Sequence, residues 1–71
     1  MKMRHREIAT EVGTLTIEVQ ELDQGYVAAL RPEDEKRIRL AADPKSELPQ
    51  SEEEAVLQLQ RRIAAGAETG P

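Results

Sequence analysis

The sequence predicts an α+β fold: a small three-stranded antiparallel sheet with one C-terminal helix packed on one face, in the order β-β-β-α. Residues 14–20 alternate polar and aliphatic side chains without a fault, as half-buried strands do. Turn-forming residues follow at 23–25 and 32–35. Residues 51–65 then carry the pattern of a capped amphipathic helix. One helix laid on one face of three sequential strands buries the apolar side of both layers.

The first strand is predicted to be long and bent. Residues 8–12 alternate too, but with parity opposite to that of residues 14–20. Gly13 lies where the parity changes, and a bulge there would bring both aliphatic sets onto one face. We favour this single bent strand over two strands, because one glycine cannot form a hairpin loop.

The second and third strands are predicted at residues 26–30 and 36–42. The turn before the second ends in Gly25, which supplies the backbone freedom of a tight hairpin. Pro32 and the acids after it form the next turn. In the third strand, two aliphatic side chains point inward and two basic ones outward: Ile38 and Leu40, and Arg37 and Arg39.

The predicted helix begins at a capping box, in which Ser51 caps a free amide and Glu54 reaches back. The acids at 52–54 suit the positive end of the helix dipole. Gly66 is predicted to end the helix as a left-handed cap. Four apolar residues recur at helical spacing and form the buried stripe: Ala55, Val56, Leu59 and Ile63.

We predict one domain at residues 8–66, a flexible basic arm at 1–7 and a disordered tail at 67–71. Residues 43–50, with two prolines, form a connection. No apolar run approaches the ~18 residues of a membrane span. The lack of cysteine fits a reducing compartment. The expected protein is soluble and cytoplasmic.

The core inventory is thin. The chain has fifteen Leu, Ile and Val residues, no Phe or Trp, and Tyr26 as its one aromatic residue. Small chains of this kind are usually stabilised by disulfides, a metal or association. With no Cys and one His, the first two are unavailable. We therefore predict a homodimer at micromolar concentration or above.

The residue inventory argues against catalysis, metal binding and cofactor binding. Metal sites need clustered ligands, and His5 stands alone. The acids at 33–35 and 52–54 lack the spacing of a calcium loop. Nucleophilic catalysis needs an activated Ser, Cys or Lys, and Ser51 is explained by capping. No phosphate-binding or dinucleotide-binding glycine motif is present. We predict a protein that is not an enzyme.

The net charge of −4 predicts a partner with a basic surface rather than nucleic acid. We interpret Tyr26 first as a core or edge residue, and second as an interface hot spot. The arginines at 37 and 39 either blunt a sheet edge or contact a phosphate or acidic group. The predicted partner-binding residues are Glu33, Asp34, Glu35, Arg37, Arg39, Tyr26 and Glu18.

Two stretches resemble the HicB-type antitoxin fold. Residues 23–28 are similar to the acidic hairpin turn that enters that family's second strand, and residues 51–56 to its capped, glutamate-rich helix start. The chain departs from the family at residues 31–35, where a Pro-Gly-Cys-like segment is expected, and in its longer connection before the helix. The resemblance implies neutralisation of a small ribonuclease toxin without catalysis, and dimerisation through the sheet.

The leading functional hypothesis is a non-catalytic regulatory interaction module, antitoxin-like, that occludes a basic surface of a partner protein. A second hypothesis is a phage-encoded inhibitor of the anti-CRISPR type, which competes with nucleic acid for a basic cleft. A third is a small RNA-binding module that uses Arg37 and Arg39 of the predicted third strand.

Overall fold

The computed structural model describes residues 2–42 and 47–68. Its strands are β1 (Lys2–Thr10), β2 (Gly13–Leu22) and β3 (Gly25–Leu30). They form one antiparallel sheet in the order β1-β2-β3. A short helix α1 (Pro32–Glu35) follows the sheet, and the long helix α2 (Glu52–Glu68) packs on one of its faces. The predicted α+β fold class is therefore confirmed, although β1 lies largely in the segment predicted as an arm and no strand forms at residues 36–42.

The single bent first strand was wrong, because residues 2–22 form a hairpin. Glu11 and Val12 make its two-residue turn, and Gly13 follows with a φ of 110°. The Thr10 hydroxyl accepts the N–H of Val12 at 3.1 Å and donates to the carbonyl of Gly13. The parity change at Gly13 therefore marks the reversal of a hairpin, which places Ile8 opposite Leu15 on one face.

The predicted flexible arm at residues 1–7 is corrected in the same way. Residues 2–7 are the first part of β1, and they pair with residues 16–21 of β2. The arm was predicted from its charge, yet alternate residues of it form backbone hydrogen bonds to β2, and its basic side chains stay exposed or in ion pairs. Met1 lies outside the described residues.

The predicted second strand is confirmed as β3, but the predicted third strand at 36–42 does not form. Instead of a turn, Pro32 opens α1, where the carbonyl of Asp34 accepts the N–H groups of Arg37 and Ile38. Beyond this helical turn, Ala41 exchanges hydrogen bonds with α2 rather than with the sheet. Its N–H donates to the Arg62 carbonyl, and its own carbonyl accepts from Arg62 Nε at 2.9 Å. The connection at 43–50 is described only from residue 47, since residues 43–46 lie outside the described residues.

The core lies between the sheet and α2. Ile17, Leu59 and Ile63 are at most 1% exposed. The cluster is completed by aliphatic residues of all three strands and of α2: Ile8, Leu15, Val19, Leu30 and Val56. Four partly buried residues pack against it: Tyr26, Ala28, Ile38 and Leu40. The irregular segment after α1 thus packs Ile38 and Leu40, which the sequence assigned to a strand, against the core.

The start of α2 confirms that Ser51 caps the helix and that the Glu54 side chain reaches back, although it reaches Gln50 and not the N–H of Ser51. The N–H of Glu54 donates to Ser51 Oγ at 3.2 Å, and the Glu54 carboxylate accepts the N–H of Gln50 at 3.1 Å. The helix continues past the predicted end at residue 65, so Gly66 is not a cap. A Cβ at Gly66 would overlap the carbonyl of Arg39, and glycine here permits close backbone packing.

Of the predicted disordered tail, residues 67 and 68 belong to α2, and residues 69–71 lie outside the described residues. The helix continues because Gly66 is held in the packed interface with the segment after α1 rather than in a left-handed turn.

We expect Ser51→Ala to lower the free energy of unfolding by about 1 kcal/mol, because it leaves the N–H of Glu54 without its acceptor. Urea unfolding followed by circular dichroism measures the change. Ser51→Asp is the matched control and should retain most of the stability, since aspartate also caps. Equal stability of the alanine variant and the parent would contradict the cap.

Candidate protein-binding surface

The face of the sheet opposite α2 is covered by no described element; we call it the open face. It is formed by alternate side chains of the three strands: Met3, His5, Glu7, Ala9, Thr14, Thr16, Glu18, Gln20, Leu22, Val27 and Ala29. The polar side chains predicted for the outward face of residues 14–20 are all on it. Among the residues that the structure describes, it carries two carboxylates and no lysine or arginine.

The two carboxylates of the open face lie on neighbouring strands. Glu7 pairs with Thr16, and Glu18 is the next residue of β2 on the same face. They are therefore diagonal neighbours, a relation that separates residues by roughly 7–8 Å. Glu18 lies opposite His5, with 3.8 Å between His5 Nε2 and a Glu18 oxygen. A single basic group placed between the two glutamates could contact both.

The basic side chains of β1 point to the other face, toward the start of α2. Arg6 Nη1 lies 2.7 Å from Glu52 and 2.8 Å from Glu53, and Arg4 also pairs with Glu52. The hydrogen bond from Arg6, and then its charge, hold the pKa of Glu53 below its usual value. This cluster fastens β1 to α2. It also keeps two cations of the predicted basic arm engaged within the molecule.

Asp34, predicted to bind a partner, is instead buried. Its side chain is 2% exposed, and it accepts from Arg37 at 2.5 Å and from Arg31 at 3.3 Å. The hydrogen bond from Arg37, followed by that from Arg31, outweighs burial and lowers the pKa of Asp34. Glu33 and Glu35 are exposed on either side of it. Three adjacent acids in α1 therefore divide into one structural carboxylate and two surface carboxylates.

The remaining predicted residues do not share one surface. Glu18 lies on the open face, whereas Tyr26 is half-buried on the α2 side, where it packs against the core. Arg37 and Arg39 are exposed on the irregular segment after α1. Glu7 was missed because residues 2–7 were assigned to an arm. Recognising β1 would have placed it beside Glu18.

No protein-family model, curated protein or solved structure matches this chain. The resemblance to HicB-type antitoxins therefore stays a prediction.

Within residues 2–42 and 47–68, no helix has the length and apolar character to cross a membrane. No three histidine, aspartate or glutamate side chains converge there in a way that could hold a metal ion. The features of the open face that are relevant to binding are its charge and its hydrogen-bonding groups.

Proposed function

We propose that this chain is a non-catalytic, regulatory interaction module, antitoxin-like, that occludes a basic surface of a partner protein in the cytoplasm. The observation that supports it best is the open face, on which Glu7 and Glu18 are diagonal neighbours and no described residue is a lysine or arginine. A surface with one sign of charge attracts the opposite sign and rejects like-charged partners.

The open face also offers the other contacts that a protein interface needs. Thr14, Thr16 and Gln20 provide hydroxyl and amide groups that hydrogen-bond without adding charge. Met3 on β1 is 52% exposed, and Val27 on β3 is half-buried on the other side of Gln20. Apolar contacts surrounded by hydrogen-bonding and charged groups are the usual composition of a transient interface.

The cations of the chain support a protein partner over RNA. The predicted basic third strand would have offered Arg37 and Arg39 in a row, whereas Arg37 donates to the buried Asp34. Two of the cations of β1 are engaged with Glu52 and Glu53. The whole chain keeps a net charge of −4, which repels phosphate at long range.

We expect a Glu7→Gln, Glu18→Gln double variant to bind its partner several-fold more slowly at low salt, because two charges that steer the encounter are removed. The difference from the parent should shrink as salt screens the field. The partner is first recovered by affinity purification from the native host and identified by mass spectrometry. Its association rate is then measured across a salt series.

A Glu33→Gln, Glu35→Gln double variant is the matched control, since it removes the same charge from exposed positions away from the open face and leaves Asp34 intact. It should bind at nearly the parental rate. A control variant that binds slowly while the open-face variant binds normally would contradict the proposal. So would a salt-sensitive complex with plain RNA that is lost on replacing Arg37 and Arg39. A neighbouring toxin gene would favour the antitoxin hypothesis, and a phage-like gene neighbourhood would favour the inhibitor one.

A further inference from the structure

The two edges of the sheet differ in how they are covered. On the β3 side, the N–H of Tyr26 donates to the carbonyl of Pro49 at 2.9 Å, so the segment at 47–50 lies against that edge. On the β1 side, the one described hydrogen bond to the outer edge comes from Gln60 Nε2, which donates to the carbonyl of Ala9 at 3.1 Å. Among residues 2–42 and 47–68, no other hydrogen bond reaches this edge, so the described chain leaves most of it open.

The register identifies the backbone groups that this edge presents. Thr10 and Gly13 close a two-residue turn and exchange backbone hydrogen bonds. Hydrogen-bonded and non-hydrogen-bonded pairs alternate along an antiparallel ladder, so only every second residue of β1, counted back from Thr10, bonds to β2. The N–H and C=O groups of Met3, His5 and Glu7 consequently point away from β2. In the part of the chain that the structure describes, no main-chain bond from outside the sheet reaches these three residues.

A hollow of about 450 Å³ lies between this edge and α2. Ile8 and Val56 line its apolar part, and Leu57 beside them is 45% exposed. Two links between β1 and α2 bound it: the Arg6–Glu53 ion pair at one end and the Gln60–Ala9 hydrogen bond at the other. The hollow thus has room for an aliphatic side chain next to an unpaired strand edge.

We propose that an extended segment of the partner protein, with alternating aliphatic and basic residues, adds to the edge of β1 as a fourth strand. Strand addition gains its affinity from main-chain hydrogen bonds and its specificity from alternate side chains. Basic residues of the segment would extend onto the open face toward Glu7 and Glu18. Aliphatic residues would point to the other side, onto Leu57. This inference rests on the proposed function and names the way in which the partner engages.

Charge complementarity favours a partner segment over a second copy of the chain. Suppose that two β1 strands pair antiparallel. If the two His5 residues lie opposite each other, Arg4 faces Arg6 of the second copy, and if the two Arg6 residues lie opposite each other, two arginines face directly. If the two Glu7 residues lie opposite each other, two glutamates face directly. Like charges directly opposite destabilise a sheet. A centre at Ile8 would require the carbonyl of Ala9, which Gln60 already occupies.

The test uses the full chain and a blocked heptapeptide in which lysine and valine alternate. NMR measures the amide exchange rates of the protein as the peptide is added. We expect exchange at Met3, His5 and Glu7 to slow about tenfold or more, because these amides gain acceptors. Arg4 and Arg6, which already pair with β2, should change little. A peptide that is N-methylated at alternate residues lacks the N–H groups that would donate to the carbonyls of β1. It should not slow amide exchange at Met3, His5 and Glu7.

Two variants locate the contact. His5→Pro removes one outward N–H while leaving the β1–β2 ladder intact, so it should abolish peptide binding; His5→Ala is its control and should bind. Leu57→Ala should weaken binding several-fold without changing the fold, because Leu57 is exposed. The N-methylated peptide keeps the test decisive if the proline variant fails to fold.

Three results would overturn the strand addition. The first is no binding at peptide concentrations up to about 1 mM, which corresponds to the weakest complexes of interest. The second is protection of the same three amides in the protein alone that disappears on dilution, which would place a second copy on the edge.

The third is binding that perturbs only Thr16 and Glu18 and tolerates His5→Pro. In that case the open face still binds a basic partner, so the proposed function stands but strand addition at the edge of β1 does not occur. The proposed function itself fails by the separate test on Glu7 and Glu18.

Discussion

Leu59→Ala is expected to destabilise the protein severely. The Leu59 side chain is 1% exposed and lies in the centre of the core with Ile17 and Ile63. Truncating a buried leucine costs about 2–5 kcal/mol, because apolar contacts are lost and a cavity remains. A chain of this size has on the order of 4–10 kcal/mol of stability in total. Urea unfolding followed by circular dichroism should therefore show a midpoint far below that of the parent.

Leu57→Ala is the matched control, with the same chemical change two residues away on the same helix. Leu57 is 45% exposed, and exposed substitutions of this kind usually change stability by less than about 0.5 kcal/mol. The pair thus tests which side of α2 faces the sheet. Equal losses for both variants would contradict the packing of α2.

The features predicted correctly are those encoded over a few residues. The cap of α2 depends on Ser51 and Glu54, three positions apart: Ser51 Oγ accepts the N–H of Glu54, and the Glu54 carboxylate reaches back to the N–H of Gln50. The period of residues 14–20 likewise depends on local alternation, and Leu15, Ile17 and Val19 are buried. Neither feature requires knowledge of a distant partner.

The errors arise where a distant contact decides the structure. Residues 2–7 form a strand because residues 16–21 pair with them, and their charge gave no sign of it. Gly66 stays helical because the backbone at Arg39 packs against it, a contact across 27 positions of sequence. The open face therefore could be predicted for β2 but not for Glu7, whose position depends on the register between two strands.

The acidic turn was misjudged for a different reason. Arg31, Asp34 and Arg37 stand at three-residue intervals, which places them on one side of a helical turn. That spacing was available in the sequence. However, Pro32 and the acids after it are equally typical of an exposed turn, and composition alone cannot tell which of three carboxylates is buried.

Asp34→Asn is expected to lower the melting temperature by several degrees at neutral pH, although it removes an acid from an acidic protein. The carboxylate is buried between Arg31 and Arg37, and the amide cannot replace its charge-assisted hydrogen bonds to both. Glu33→Gln is the matched control. It removes the same charge from an exposed position in α1 and should leave the melting temperature nearly unchanged.

The pH dependence of this difference tests its cause. The hydrogen bonds from Arg37 and Arg31 hold the pKa of Asp34 below the ordinary value of about 3.9, so the folded state favours the ionised form. The stabilisation is therefore fully present above that ordinary value and is lost as the pH falls through the lower, folded-state pKa. Thermal unfolding of the parent and of Asp34→Asn should differ most near pH 7 and converge in acid. Glu53, whose pKa is also lowered, is present in both proteins and cancels in the comparison. A difference that stays constant from pH 7 to pH 2 would mean that Asp34 stabilises the fold by its shape and not by its charge.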